Sequence, residues 1–176
     1  RRQRQMCIRD RGISPRCHLE DITRADIYGY VVPFCLELMK LQEEYKIPIK
    51  VRACDTMGYG VNYPGAVIPR SVQGIIYALH TNASVPHANL EWHGHNDFYK
   101  AVSNSTTAWL YGCSGANTSL FGIGERTGNT PLEAMVFEYA QLRGSLNGMD
   151  TTVITELAEY YEKEICLLYT SDAADE

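Results

Sequence analysis

The sequence predicts an α/β fold with parallel strands, the equivalent of half an eight-stranded α/β barrel followed by one trailing helix. Three observations predict it. Four times, a short β-rich run ends in a polar or glycine-rich cluster and gives way to helical periodicity, the pattern of parallel strands joined by crossover helices. Each cluster falls at the C-terminal end of its strand, where a barrel or a doubly wound sheet keeps its chemistry. A complete barrel typically needs about 250 residues, and this chain has 176. Half a barrel is the better count.

The first β-rich run is Ile13 to Thr23. It leads into a helix carrying Ile27, Val31, Phe34, Cys35 and Leu38 on one face, with Gly29 and Pro33 requiring a kink or a start near Pro33. The second is Ile47 to Cys54, a buried strand. The loop DTMGYGVNYPG follows it, and then a helix over Ser71 to His80 bearing Val72, Ile75, Ile76 and Leu79. The third strand is Asn89 to His95, with Asn96 and Asp97 placed to cap a helix that runs to Gly112. The fourth is Asn117 to Phe121, followed by the loop GIGERTGN, and Pro131 suits the first turn of the next helix. Gly144 to Asp150 reads as a linker. Asp150 can cap a last helix with Ile154, Leu157, Ala158, Tyr161 and Ile165 at helical spacing.

The ends of the chain read differently. Met6 to Asp10 back-translates as ATG TGT ATA AGA GAC, and Cys166 to Ser171 as TGT CTC TTA TAC ACA TCT. The second string contains the reverse complement of the first. We therefore expect residues 1–11 and 166–176 to be translated sequencing adapter. That leaves 12–144 as a partial catalytic domain and 145–165 as a linker and helix. The N-terminal arginine cluster then carries no information about nucleic acid.

Composition narrows the function. The net charge of -5 argues against non-specific nucleic-acid binding, which needs a basic face. No apolar run approaches the ~20 residues of a membrane helix, and no signal-peptide core is visible. The 6 Cys form no CxxC pair, so reduced thiols and a cytoplasmic location are expected.

The sharpest chemical signal is His93-Gly94-His95 at a strand end. Residues two apart in a strand share a face, so both imidazoles can meet one metal ion, or they are two ordinary histidines. Asn96 and Asp97 add acceptors beside them. GIGERTGN is neither a P-loop nor a dinucleotide fingerprint. In its plainest reading it is a tight turn in which Arg126 and Glu125 satisfy backbone or each other. Asp55-Thr56 either binds substrate or turns the chain. Glu20-Asp21 after Arg16 is either catalytic or a solvated capping pair. Cys17, Cys35, Cys54 and Cys113 read as small buried apolar residues.

HLEDITRAD, CDTMGYG, HGHND and GIGERTGN, in that order, resemble the metal-dependent Claisen-condensing synthases. That family includes 2-isopropylmalate, homocitrate, citramalate and Re-type citrate synthases and shares a TIM-barrel catalytic domain. LEWHGHNDF and AWLYG are most similar to the Re-type citrate synthase branch, which uses oxaloacetate. The resemblance implies strands five to eight of the barrel, with the first-strand metal aspartate outside this sequence. It implies a divalent ion (Mn, Co, Mg or Zn) held by His93, His95 and Asn129, with acetyl-CoA as co-substrate. Thr56 matches the threonine that binds the 2-oxo acid carboxylate, and Glu20 matches a glutamate of the acid–base chemistry. Arg16 is similar to the arginine that receives a second substrate carboxylate in homocitrate synthases, which favours a 2-oxo dicarboxylate. His18 stands where a serine is usual, so it too faces substrate.

The expected partners are therefore a 2-oxo acid and acetyl-CoA, with no nucleic acid or membrane, in a homodimer when full-length. On its own the chain is expected to be inactive and poorly stable, because half a parallel barrel leaves two strand edges unpaired. Two other readings fit parts of the pattern. A lyase or carboxyltransferase barrel shares HxH but usually lacks GIGERTGN, and a non-catalytic metal-binding module would bind metal without condensation.

Overall fold

The computed structural model describes residues 13–165. The segments read above as adapter lie outside the described residues. By contacts the chain divides into two units, Arg1–Met135 and Val136–Glu176.

The first unit is built on four parallel strands in sequential order: β1 (Arg16–Leu19), β2 (Lys50–Asp55), β3 (Leu90–Gly94) and β4 (Gly115–Asn117). Strictly sequential parallel order requires a crossover after every strand. The helices supply it: α1 (Val32–Tyr45) after β1, α2 (Val72–Tyr77) after β2 and α3 (Ala101–Leu110) after β3. This is the predicted α/β class.

Helix starts follow local chemistry. One π-helical turn over Ile27–Val31 absorbs Gly29 and precedes α1, and Pro33 sits in the first turn of α1, where its missing N–H is harmless. Ser71 caps α2 by accepting from the Gly74 N–H at 3.0 Å, and a π-turn over Ala78–Asn82 extends it. α3 begins four residues later than its expected caps. Asn96 still contributes, its Oδ1 accepting from the Ala101 N–H at 3.2 Å, whereas Asp97 is committed elsewhere.

The fourth strand is a correction. The expected strand Asn117 to Phe121 is instead Gly115–Asn117, and Leu120–Gly122 is a 3-10 turn with Phe121 at φ 54. Pairing decides this: Gly115, Ala116 and Asn117 stand in register with Glu91, Trp92 and His93. Beyond them the chain turns back, and Ser119 bridges to Pro131. The apolar pair Leu120 and Phe121 belongs to a turn.

The sheet has two unlike faces. Val51, Ala53, Leu90 and Trp92 point to the helices and join Ile22, Ile27, Cys35, Val72, Ile75, Ile76 and Leu79 in one buried core. Full burial of each large aliphatic side chain contributes roughly 1.5–3 kcal/mol. The alternate residues, Arg16, His18, Lys50, Arg52, Cys54, Glu91, His93 and Asn117, share the other face by strand periodicity and register.

The second unit contains the C-terminal part of α4 (Leu132–Arg143) and α5 (Val153–Ile165). In α5 the half-buried positions include Ile154, Leu157, Ala158 and Tyr161, four of the five predicted for the stripe, while Ile165 is exposed. Asp150 holds the start of the preceding turn through the Thr152 N–H at 2.9 Å. Among the described residues no helix is long and apolar enough to cross a membrane.

Candidate metal and acid–base site

At the C-terminal end of β1 the chain turns through Asp21, at φ 58, a left-handed conformation its short polar side chain tolerates. The turn brings Glu20 and the Asp21 N–H toward the end of β2. Asp21 donates its N–H to Thr56 Oγ1 at 2.7 Å, and the Thr56 hydroxyl donates to Glu20 Oε2 at 2.9 Å. His18 Nδ1 lies 3.8 Å from the other Glu20 oxygen. Three residues named from sequence, Glu20, His18 and Thr56, thus lie together.

Behind them, Asp55 is fully buried on the helix-facing side. It accepts from the Thr23 hydroxyl at 2.8 Å and the Gly60 N–H at 2.9 Å, tying the loops after β1 and β2. Burial pushes its pKa up, against the hydrogen bonds that favour the carboxylate.

His93 and His95 project from β3 and its end, rings edge to face with centroids 4.9 Å apart. His93 Nδ1 is hydrogen-bonded to Asn117 Oδ1 at 2.8 Å, an interaction that sets the tautomer when Nδ1 carries the proton. Burial, then the neighbouring His95, lowers the pKa of His93, favouring the neutral imidazole a metal requires. Asn129 is brought beside this pair by backbone pairing: it bridges His95, and the Asn96 N–H donates to the Gly128 carbonyl at 2.9 Å.

The glycines of the loop GIGERTGN have steric reasons. A Cβ on Gly124 would lie 2.7 Å from the Asn129 side chain, and one on Gly128, at φ +91, would collide with the Gly122 carbonyl. His95 Nδ1 and Asn129 Oδ1 are both buried without a hydrogen-bond partner. Buried polar atoms are normally paired, so two orphans beside a neutral imidazole fit a cation with mixed nitrogen and oxygen ligands. The residues fit the group the sequence implied.

Arg126 fastens the glycine-rich loop down. Its guanidinium donates to both Asp97 oxygens, at 2.8 and 3.1 Å, and to the Thr56 carbonyl at 2.6 Å. This joins the loops after β2, β3 and β4 and holds the Asp97 pKa down. Sequence reasoning assigned Asp97 to a helix cap and missed this clamp.

Sequence reasoning also missed three residues on the same face. Asn117 contacts His93. Cys54 stands in register with His93, its thiol pushed up to about 12 by burial and then by Glu20, so it is a thiol and not a thiolate. Glu91 sits below them, and strand alternation with HxH could have placed it on this face. Arg16 lies apart from Glu20, its guanidinium on Glu91: Nε to Oε2 at 2.8 Å and Nη2 to Oε1 at 3.0 Å.

A parallel α/β sheet presenting paired histidines, an asparagine and a threonine–glutamate couple at its C-terminal edge is the arrangement of a barrel-type enzyme site. The chain belongs to the HMGL-like family, whose model matches residues 2–160. It is 68% identical over 154 residues to Citrate (Re)-synthase of Clostridium kluyveri, covering 88% of this chain and 34% of that protein. It is 62% identical over 158 residues to Citrate (Re)-synthase of Syntrophus aciditrophicus, covering 90% and 25%. The chain thus spans about a third or less of the length of these curated relatives. Homocitrate and 2-isopropylmalate synthases are more distant, at 31% and 29% identity for two of them. Among solved structures, hydroxymethylglutaryl-CoA lyase from Pseudomonas aeruginosa superposes with a TM-score of 0.72 at 19% identity, covering 98% of this chain and 56% of that one. That likeness shows the fold.

Proposed function

We propose that this chain carries part of the active site of an acyltransferase that condenses acetyl-CoA with oxaloacetate to give citrate. The observation that carries the reading is 68% identity to a Citrate (Re)-synthase over 154 residues, 88% of this chain. Divalent-metal dependence, the dicarboxylate substrate, a homodimeric full-length enzyme and a cytoplasmic location belong to the same proposal.

His93, His95 and Asn129 would hold the cation. Bound there, it supplies Lewis-acid polarisation of a ketone. The remaining work falls to the chain. Thr56, oriented by the Asp21 N–H, gives its one hydroxyl proton to Glu20, and it would have to turn that proton away from Glu20 to bind a substrate carboxylate. Glu20 Oε2 is held by that hydroxyl, which orients the carboxylate for moving a proton at the acetyl methyl. Arg126 ties the glycine-rich loop to Asp97 and to the Thr56 carbonyl and so holds that loop beside the site. Two substrates aligned in such a site gain much of the rate from proximity.

The test is a chimera in which this chain replaces the matching segment of the Clostridium kluyveri relative. CoA release is followed with acetyl-CoA, Mn2+ and, in turn, oxaloacetate, 2-oxoglutarate and 2-oxoisovalerate. Release with oxaloacetate is expected. Release only with 2-oxoglutarate or 2-oxoisovalerate would move the reading to the homocitrate or isopropylmalate class. Silence with all three, in a chimera folded by circular dichroism, would overturn condensation in favour of a lyase-type barrel.

A further inference from the structure

Below the histidines on the same face lies a charge cluster whose sum is unbalanced. Glu91, 6% exposed, accepts from Arg16, from Lys50 Nζ at 3.0 Å, and from Arg52 through Nε at 3.1 Å and Nη2 at 2.9 Å. Three cations thus share one carboxylate. Among the described residues no other carboxylate lies within ion-pair distance of any of the three. Two positive charges remain over.

Their position gives that surplus a use. Arg52 stands in register with Glu91, two residues below His93 on the neighbouring strand, which is one repeat of the pleat or about 6.6 Å. Arg52 is also the most sheltered cation of the three, its side chain 15% exposed against 38% for Lys50 and 39% for Arg16. Arg52 shares its one carboxylate with two other cations, so a further anion beside it would lower the net charge of a sheltered cluster. Arg52 bonds Glu91 through Nε and Nη2 and Arg16 through Nη2, with Arg16 Nε within ion-pair distance; among the described residues no carboxylate lies within ion-pair distance of either Nη1.

We infer that Arg52 is a specificity-determining residue that, together with Arg16, receives the far carboxylate of a short 2-oxo dicarboxylate, Glu91 holding the two guanidiniums in place. The inference rests on the 2-oxo acid reading above and extends it to a residue that sequence reasoning did not single out. A 2-oxo monocarboxylate placed at His93 and His95 leaves the two surplus charges unmet; a dicarboxylate neutralises one of them.

The test is binding to the chimera described above, without metal, by NMR titration with oxaloacetate and with pyruvate, which lacks the far carboxylate. Wild type is expected to bind oxaloacetate at least tenfold tighter. Arg52→Gln is expected to reduce that preference to within twofold while retaining the wild-type circular dichroism spectrum, with Arg52→Lys intermediate. Equal or undetectable binding of both acids by wild type, or an unchanged preference in Arg52→Gln, would overturn it. In the chimera, Arg52→Gln should raise KM for oxaloacetate at least tenfold with kcat within threefold. Turnover of oxaloacetate with KM unmoved defeats this inference and leaves condensation standing. A dianion preference in a chimera that turns over no oxo acid defeats condensation and leaves the anion site standing.

Discussion

Thr56 donates its hydroxyl proton to Glu20 Oε2 across 2.9 Å, although the two residues lie 36 positions apart in the chain. The same hydroxyl accepts from the Asp21 N–H, so one oxygen sets the orientation of the carboxylate and the turn that carries it. Thr56→Val keeps the shape and removes both bonds. In the chimera we expect kcat/KM to fall about 100-fold, the scale of a misplaced catalytic group, while Thr56→Ser stays within a few-fold. Equal activity in wild type and Thr56→Val would show that Glu20 is placed by something else.

The contact between His93 Nδ1 and Asn117 predicts an effect at a residue proposed as no metal ligand. Loss of such a supporting hydrogen bond typically lowers metal affinity by about 10–100-fold. Asn117→Ala should therefore weaken Mn2+ binding to the chain by that factor, read from the free-Mn2+ EPR signal. His93→Ala and His95→Ala should weaken it at least as much. An Asn117→Ala affinity equal to wild type would mean that the tautomer is set without this contact.

Glu91 makes a prediction about pH. Burial alone would raise its pKa, but hydrogen bonds from Arg16, Lys50 and Arg52 hold it at about 2, against roughly 4.3 for a free glutamate. The folded value is the lower one, so the stabilisation is complete above the unfolded value and is lost as pH falls from about 4.5 toward 2. The urea midpoint of wild type minus that of Glu91→Gln should shrink across that window and stay flat from pH 5 to 7. A difference that stays constant down to pH 2.5 would contradict the ion-pair account.

Arg126 joins Asp97 and the Thr56 carbonyl from a half-exposed position, so its role is to hold a loop in place. Arg126→Ala should speed cleavage after Glu125 by a glutamate-specific protease several-fold, with little change elsewhere. Unchanged cleavage would mean that the pairing of Asn129 with His95 holds the loop unaided.

Local information was legible in the sequence and pairing information was not. The break near Gly29, the helix start near Pro33 and the helix beginning at Ser71 are read from residues within a few positions of one another, whereas the π-turn and the capping role of Ser71 are not. The shared face of His93 and His95 is also read locally, since it needs only period two. The placement of β4 failed because nothing local marks where the strand stops before the glycine-rich loop, and only register with Glu91, Trp92 and His93 shows that it ends at Asn117. Asp97 looked like a cap because it precedes a helix, yet its partner is 29 residues downstream. Arg16 and Glu91 are 75 positions apart, and no local pattern announces that they meet.

Core and chemistry alternate along β3: Leu90 and Trp92 face the helices, while Glu91 and His93 face the other way. Tolerance to substitution and tolerance to insertion are therefore different quantities in this strand. Exchanging Leu90 for another large aliphatic leaves both imidazoles aimed where they were. Losing Glu91 alone keeps every histidine and asparagine in the sequence, yet it drives an imidazole into the core and turns the indole out to take its place. The register that packs Trp92 is also the register that points His93 at its site, and a frame slip would cost the protein both at once.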